Sequence, residues 1–154
     1  MKYSEIGLKV LLYFYSIMKN ENLILEDLMV RFNYQHKLEY ITINNHENSE
    51  LLKSDIHLIT AKDSNFYYSL KYLVDESFIE FKEDPDSGGV FYNNFRITSN
   101  GIKIIEGVNV EKYKNELEDK FHITINVNNT IESLIRNELG GINLSLLNLK
   151  DILG

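Results

Sequence analysis

Apolar residues recur near the start of the chain at Ile6, Val10, Leu11, Phe14, Ile17 and Met18. That spacing places them on one stripe of an α-helix and predicts an amphipathic core helix over residues 3–19. Lys9 interrupts the run, which is too short to cross a bilayer and is followed by no small-residue cleavage site. It therefore reads as core, with neither a membrane span nor a signal peptide, in a cytoplasmic protein. A second stripe, Phe66, Leu70, Leu73 and Val74, predicts a long helix between Asp63 and Glu76, with Asp63 or Ser64 as N-cap. Residues 50–56 read as a short helix before it and 57–60 as the turn between the two. The pattern then changes to strand-like runs at 78–82 and 90–97. Between them lies Glu83-Asp84-Pro85-Asp86-Ser87-Gly88-Gly89, which holds the only proline of the chain and predicts a hairpin turn. Thr98 or Ser99 can cap a following helix with Ile102, Ile104, Ile105 and Val108 on its apolar side.

Residues 23–30 read as a further helix, 40–43 as a short strand and 44–48 as a loop. In the tail, 111–120 reads as a charged helix or linker. Phe121, Ile123, Ile125 and Val127 alternate as a half-buried strand does. Ile131, Leu134, Ile135 and Leu139 return to helical spacing, stopped by Gly140-Gly141, and 144–153 reads as a last helix. The class expected is α+β, mainly helical, with a two-stranded wing and a C-terminal strand–helix tail. The division expected is 1–107 and 108–154.

Short helix, turn, long helix, hairpin, helix is winged-helix order. The residues that carry a resemblance are Tyr72-Leu73, Ile79 and Ile97-Thr98-Ser99-Asn100-Gly101. Over 47–107 the chain resembles the winged helix-turn-helix of the YjcQ-like family of bacterial and phage proteins, and looks like PadR-type and MarR-type regulators. Their helix with a Tyr-Leu end leads into a wing closed by an Ile/Leu-Thr-x-x-Gly motif. Two features depart from those regulators. Ser77 stands where a glycine usually ends the helix, and the wing is acidic. The resemblance implies a DNA-binding regulator whose long helix enters the major groove. On that helix and its surroundings the candidates for DNA contact are Lys62, Ser64, Tyr68, Lys71, Tyr72 and Arg96.

Charge works against this reading. The net charge is −7, and neither part is basic: 1–107 carries 11 basic and 16 acidic side chains, 108–154 carries 5 and 7. Glu80, Glu83, Asp84 and Asp86 in the wing would repel phosphate, so the alternative is a protein-interaction module that docks its acidic wing on a basic partner. An apolar strand with no neighbour in sequence needs a partner. Homodimerisation through Phe121, Ile123, Ile125, Val127, Ile131, Leu134, Ile135 and Leu139 is the expectation; the alternative is a tail that wraps back onto its own domain.

No catalytic chemistry, cofactor or metal site is expected. There is no cysteine, and His36, His46, His57 and His122 lack metal-ligand spacing. The glycine pairs lack the context of a phosphate loop. Ala61 is the only alanine while Asn and Ile each occur 18 times, which points to an AT-rich gene such as those of low-GC bacteria, their phages and mobile elements.

Overall fold

In the computed structural model the residues described are 3–19, 28–43, 48–61, 63–83, 90–147 and 149, the side chains of 83 and 90–94 excepted. The first apolar stripe is helix α1 (Tyr3–Lys19). It is more than amphipathic. Ile6, Leu8, Val10, Leu11, Leu12, Tyr13, Phe14 and Ile17 are all essentially inaccessible, which covers every side of the helix. A helix apolar all round is stable only when surrounded. α1 packs against α2 (Ser49–Thr60), α3 (Asp63–Asp75), α5 (Glu111–Phe121) and α6 (Ile131–Leu139), and also touches β4 (Val90–Ile97) and α4 (Ser99–Glu106).

Two expectations change upstream of α3. Residues 28–30, read as helix, belong to strand β1 (Leu28–Phe32); 23–27 lie outside the described residues. Leu28, Val30 and Phe32 alternate inward, and this period of two prevails because partner strands flank β1 on both sides. Strand β2 (Leu38–Thr42) pairs with it antiparallel, Val30 opposite Ile41. Likewise α2 does not stop at residue 56. It runs to Thr60 and ends on Ala61 in the left-handed region (φ 62°), whose N–H donates to the His57 carbonyl at 2.8 Å. Asn65 Nδ2 donates to the Thr60 carbonyl at 3.0 Å and ties the two helices across the turn. α3 begins at Asp63, so Asp63 and Ser64 are first-turn residues.

β3 (Ile79–Glu83) and β4 form the expected antiparallel pair, Ile79 opposite Ile97. The turn at 84–89 lies outside the described residues. β4 also pairs with β1, giving one antiparallel sheet of order β2-β1-β4-β3. Its inner face meets α1 and α3 through aromatic contacts: Phe95 against Phe14 at 5.5 Å and Phe32 against Phe66 at 5.8 Å between ring centres.

The junction from α3 to β3 explains the Ile97-Thr98-x-x-Gly101 motif. Ser77 N–H donates to the Val74 carbonyl and Phe78 N–H to the Leu73 carbonyl, both at 2.9 Å. This is a left-handed helix ending of the kind glycine favours. Ser77 adopts it at φ 64°. Thr98 then closes the junction from the other side. Its hydroxyl donates to the Ser77 carbonyl at 2.5 Å and accepts the Gly101 N–H at 3.1 Å, capping α4. A Cβ on Gly101 would strike the Phe78 carbonyl oxygen and the Ile97 side chain.

The tail departs most from expectation. Residues 121–127 are not a strand. Phe121 is the last residue of α5, His122 caps it in the left-handed region, and the Glu118 carboxylate accepts the Ile125 N–H at 3.0 Å. The alternation arises from this turn. Phe121, Ile125, Leu134, Ile135 and Leu139 are buried in the chain's own core, with Ile123, Val127 and Ile131 packed at its edge. The dimer residues are thus covered within one chain, and the unpaired strand that called for a second copy does not exist. Of the last segment, residues 143–147 are not helical. Asp55, fully buried on α2, anchors it: its carboxylate accepts Ser145 N–H at 2.5 Å, Leu146 N–H at 3.1 Å and the Tyr13 hydroxyl at 2.5 Å. Burial first, then the Asp55 charge, pushes the Tyr13 phenol well above its usual range, so it stays a donor. Lys9 adds a second tie, donating to the Glu138 carbonyl at 2.8 Å and pairing with its carboxylate at 3.2 Å. No described helix is long and apolar enough to cross a membrane.

Two expectations follow for urea unfolding. Ser77→Gly stabilises the fold by about 0.5–1 kcal/mol by relieving the left-handed residue, whereas Gly101→Ala costs about 2 kcal/mol or more because backbone must move. A third concerns acid. The Ile125 N–H and Lys114 hold the Glu118 carboxyl below the usual 4.5. A lowered folded value stabilises the turn above the unfolded value, and the effect is lost as pH falls through the lowered one. Amide exchange at Ile125 should therefore speed up on acidification below 4.5 relative to neighbouring amides.

Candidate nucleic-acid interface

The outward side of α3 divides into two halves. Phe66, Tyr67, Ser69, Leu70 and Leu73 face the core. In the first half Ser64 is half-buried, Tyr68 is 37% exposed and Lys71 is exposed. In the second half Tyr72 is turned aside. Its hydroxyl donates to the Lys120 carbonyl and its ring lies edge-on to Phe121 at 6.2 Å. Burial, then the Glu76 charge, raises its phenol above the ordinary value. Glu76 pairs with Lys120 at 2.9 Å, so α5 covers this end of the helix. Asp75 remains exposed one turn beyond Lys71.

The first half is built up by elements that sequence reasoning did not connect with it. Tyr3, at the start of α1, stacks on Tyr68 with ring centres 4.9 Å apart. The β1–β2 turn, 33–37, reaches the same place. His36 lies flat on Tyr67, 4.0 Å between centres and 3° between planes, and its Nδ1 is 3.2 Å from the Tyr68 hydroxyl. The turn is held internally as well. Asn33 Oδ1 accepts Gln35 N–H at 2.8 Å and Lys37 N–H at 3.0 Å. His36 N–H donates to the Asn33 carbonyl and Asn33 N–H to the Lys37 carbonyl, both at 2.9 Å. His36 takes φ 63°, which this closed loop requires. The turn was legible in principle. Leu28, Val30, Phe32 and Leu38, Tyr40 alternate around Asn33-Tyr34-Gln35-His36, but the apolar run before residue 30 matched helical spacing too.

Charge on this face is locally favourable. Among the described residues neither Lys37 nor Lys71 has an ion-pair partner. Of the acids nearby, Glu39 pairs with Arg31 at 2.7 Å and Asp63 contacts His57 Nε2, while Asp75 stays exposed one turn beyond Lys71. The wing offers less. Arg96 sits opposite Glu80 in the β3–β4 register and is paired with it, so each cancels the other. Lys62, Asp84, Asp86 and the side chain of Glu83 lie outside the described residues.

The chemistry available here is recognition. Aromatic faces, hydroxyls and two lysines can contact bases and phosphates. Among the described residues no group of three or more His, Asp or Glu could hold a metal ion. The open cleft of about 610 Å³ along 140–149 is lined by backbone, leucines, Ile142, Asn143 and Ser145, with no titratable side chain. In comparisons with protein-family models, curated proteins and solved structures, none matches this chain.

Proposed function

We propose that the chain is a non-enzymatic winged-helix protein that binds DNA as a regulator in a bacterium, phage or mobile element. The observation that carries the reading is the first half of α3, where Tyr68 and Lys71 stand exposed and the β1–β2 turn, which carries the exposed Lys37, docks through His36 on Tyr67 and Tyr68. The order α2, short turn, α3, hairpin, α4 supports it, as does the resemblance of 47–107 to YjcQ-like and related regulators. Ser64, Tyr68 and Lys71 meet base edges and phosphates from the helix, and Lys37 meets the adjoining backbone. Tyr72 and Arg96 drop out of the contact set, since α5 holds the one and Glu80 the other. The reading makes no use of a dimer, because Phe121, Ile125, Leu134, Ile135 and Leu139 are buried in the chain's own core and Ile123, Val127 and Ile131 pack at its edge.

The Arg96–Glu80 pair favours the second reading, a protein-docking module with an acidic wing, because it removes the cation a wing usually lays on DNA. Anisotropy of a labelled AT-rich duplex, titrated over salt, separates the two. Under the DNA reading the chain binds at low salt, and Lys37→Gln and Lys71→Gln each lower the log–log salt slope by about 1. Arg96→Gln leaves the slope unchanged. Failure of the unaltered chain to bind any oligonucleotide at low salt would sink the DNA reading and leave the docking module.

A further inference from the structure

The β1–β2 turn carries a residue that the fold does not use. Tyr34 is 84% exposed, the most exposed large hydrophobic side chain among the described residues, and its one hydrogen bond is a 3.3 Å contact from its neighbour Gln35 Nε2. An exposed tyrosine on a loose loop would mean little. This turn is not loose: four hydrogen bonds anchored on Asn33 close it, and the His36 ring is laid on Tyr67 beside Tyr68. The backbone that projects Tyr34 into solvent is thereby fixed relative to α3. Two residues further along is Lys37, and the stacked pair Tyr3–Tyr68 keeps 45% and 37% of its surface open. Aromatic faces in fixed positions, flanked by lysines without ion-pair partners among the described residues, match one ligand chemistry. They match a nucleobase with a free π-face on an anionic backbone.

We infer that the β1–β2 turn is a second contact element and that Tyr34 stacks on an unpaired base of the bound nucleic acid. The partner is then DNA with a single-stranded or locally opened segment next to the stretch that α3 contacts. A closed duplex offers Tyr34 no base face, because every base is already stacked on its neighbours. Phe32 pairs with Val90, so the turn leaves the sheet at the end where β4 begins. Tyr34 thus extends the α3 face from one edge, with Lys37 placed to follow the strand. This inference rests on the nucleic-acid reading above and adds the form of the ligand to it.

The test uses three labelled oligonucleotides, a duplex, a single strand and a duplex with a short gap, with 2-aminopurine at the unpaired position. The unaltered chain should favour the single-stranded or gapped probe and quench its 2-aminopurine emission. Tyr34→Ala should weaken that binding by about tenfold and abolish the quench, while duplex affinity moves by less than about twofold. Tyr34→Phe should retain both. Because Tyr34 buries almost nothing, thermal unfolding of Tyr34→Ala should match the unaltered chain, so a loss of binding cannot be blamed on misfolding. Equal binding of gapped probe by Tyr34→Ala, or binding of closed duplex alone by the unaltered chain, overturns the inference and leaves DNA binding standing. Binding of no probe at all removes both.

Discussion

The burial of α1 on every side is the constraint from which the architecture follows. A helix with Leu8, Val10, Leu11, Leu12, Tyr13, Phe14 and Ile17 all inaccessible cannot rest on one neighbour. The sheet covers part of it through Phe95, α3 covers another part, and the remaining sides need the tail. The tail is therefore a wall of the core. Its two ties are polar and specific. Lys9, the one charge in the middle of α1, reaches Glu138 on α6, and Asp55 collects the Tyr13 hydroxyl and two backbone N–H groups of the last segment. Each of these two ties gives a polar group a partner on the tail and fixes where the tail must lie.

That arrangement shapes the candidate site. Covering α1 brings α5 alongside the end of α3, where Phe121 meets Tyr72 and Phe78 and Lys120 meets Glu76. Tyr72 and Glu76 on the outward helix face become half-buried, while Asp75 stays exposed. What remains open is the first half, and there α1 contributes again, since Tyr3 from its first turn stacks on Tyr68. The β1–β2 turn completes the surface by laying His36 on Tyr67. The exposed face is thus set by three elements far apart in sequence, none of which presents it alone.

Much of the fold was legible. The helices at 3–19, 63–75 and 99–106, the β3–β4 pairing, the Thr98 cap and the closure at Gly101 follow from local chemistry, because each depends on the period of apolar residues or on a backbone group satisfied by a near neighbour. The readings that failed have non-local causes. Residues 28–30 fit a helix by spacing but become a strand because β2 and β4 supply hydrogen bonds on both edges. Phe121 to Val127 alternate like a strand, yet the left-handed His122 and the Glu118–Ile125 contact bend them back. Helical and strand phase place Tyr72 and Arg96 outward but do not show their hydrogen-bond partners, Lys120 and Glu80, which lie 48 and 16 residues away.

The sequence by itself determined the helix–turn–helix–hairpin–helix order of 49–106, since turn residues, caps and apolar periods act within a few positions of one another. It also determined the absence of thiol chemistry, because composition alone decides that. Only the tertiary structure decided that the tail closes on its own chain, that α5 packs over Tyr72 and Glu76 of α3, and that the β1–β2 turn lays His36 against Tyr67 and Tyr68. The reason is physical: burial and pairing are properties of surfaces brought together, and a residue's pattern shows which side it prefers without showing what will cover it.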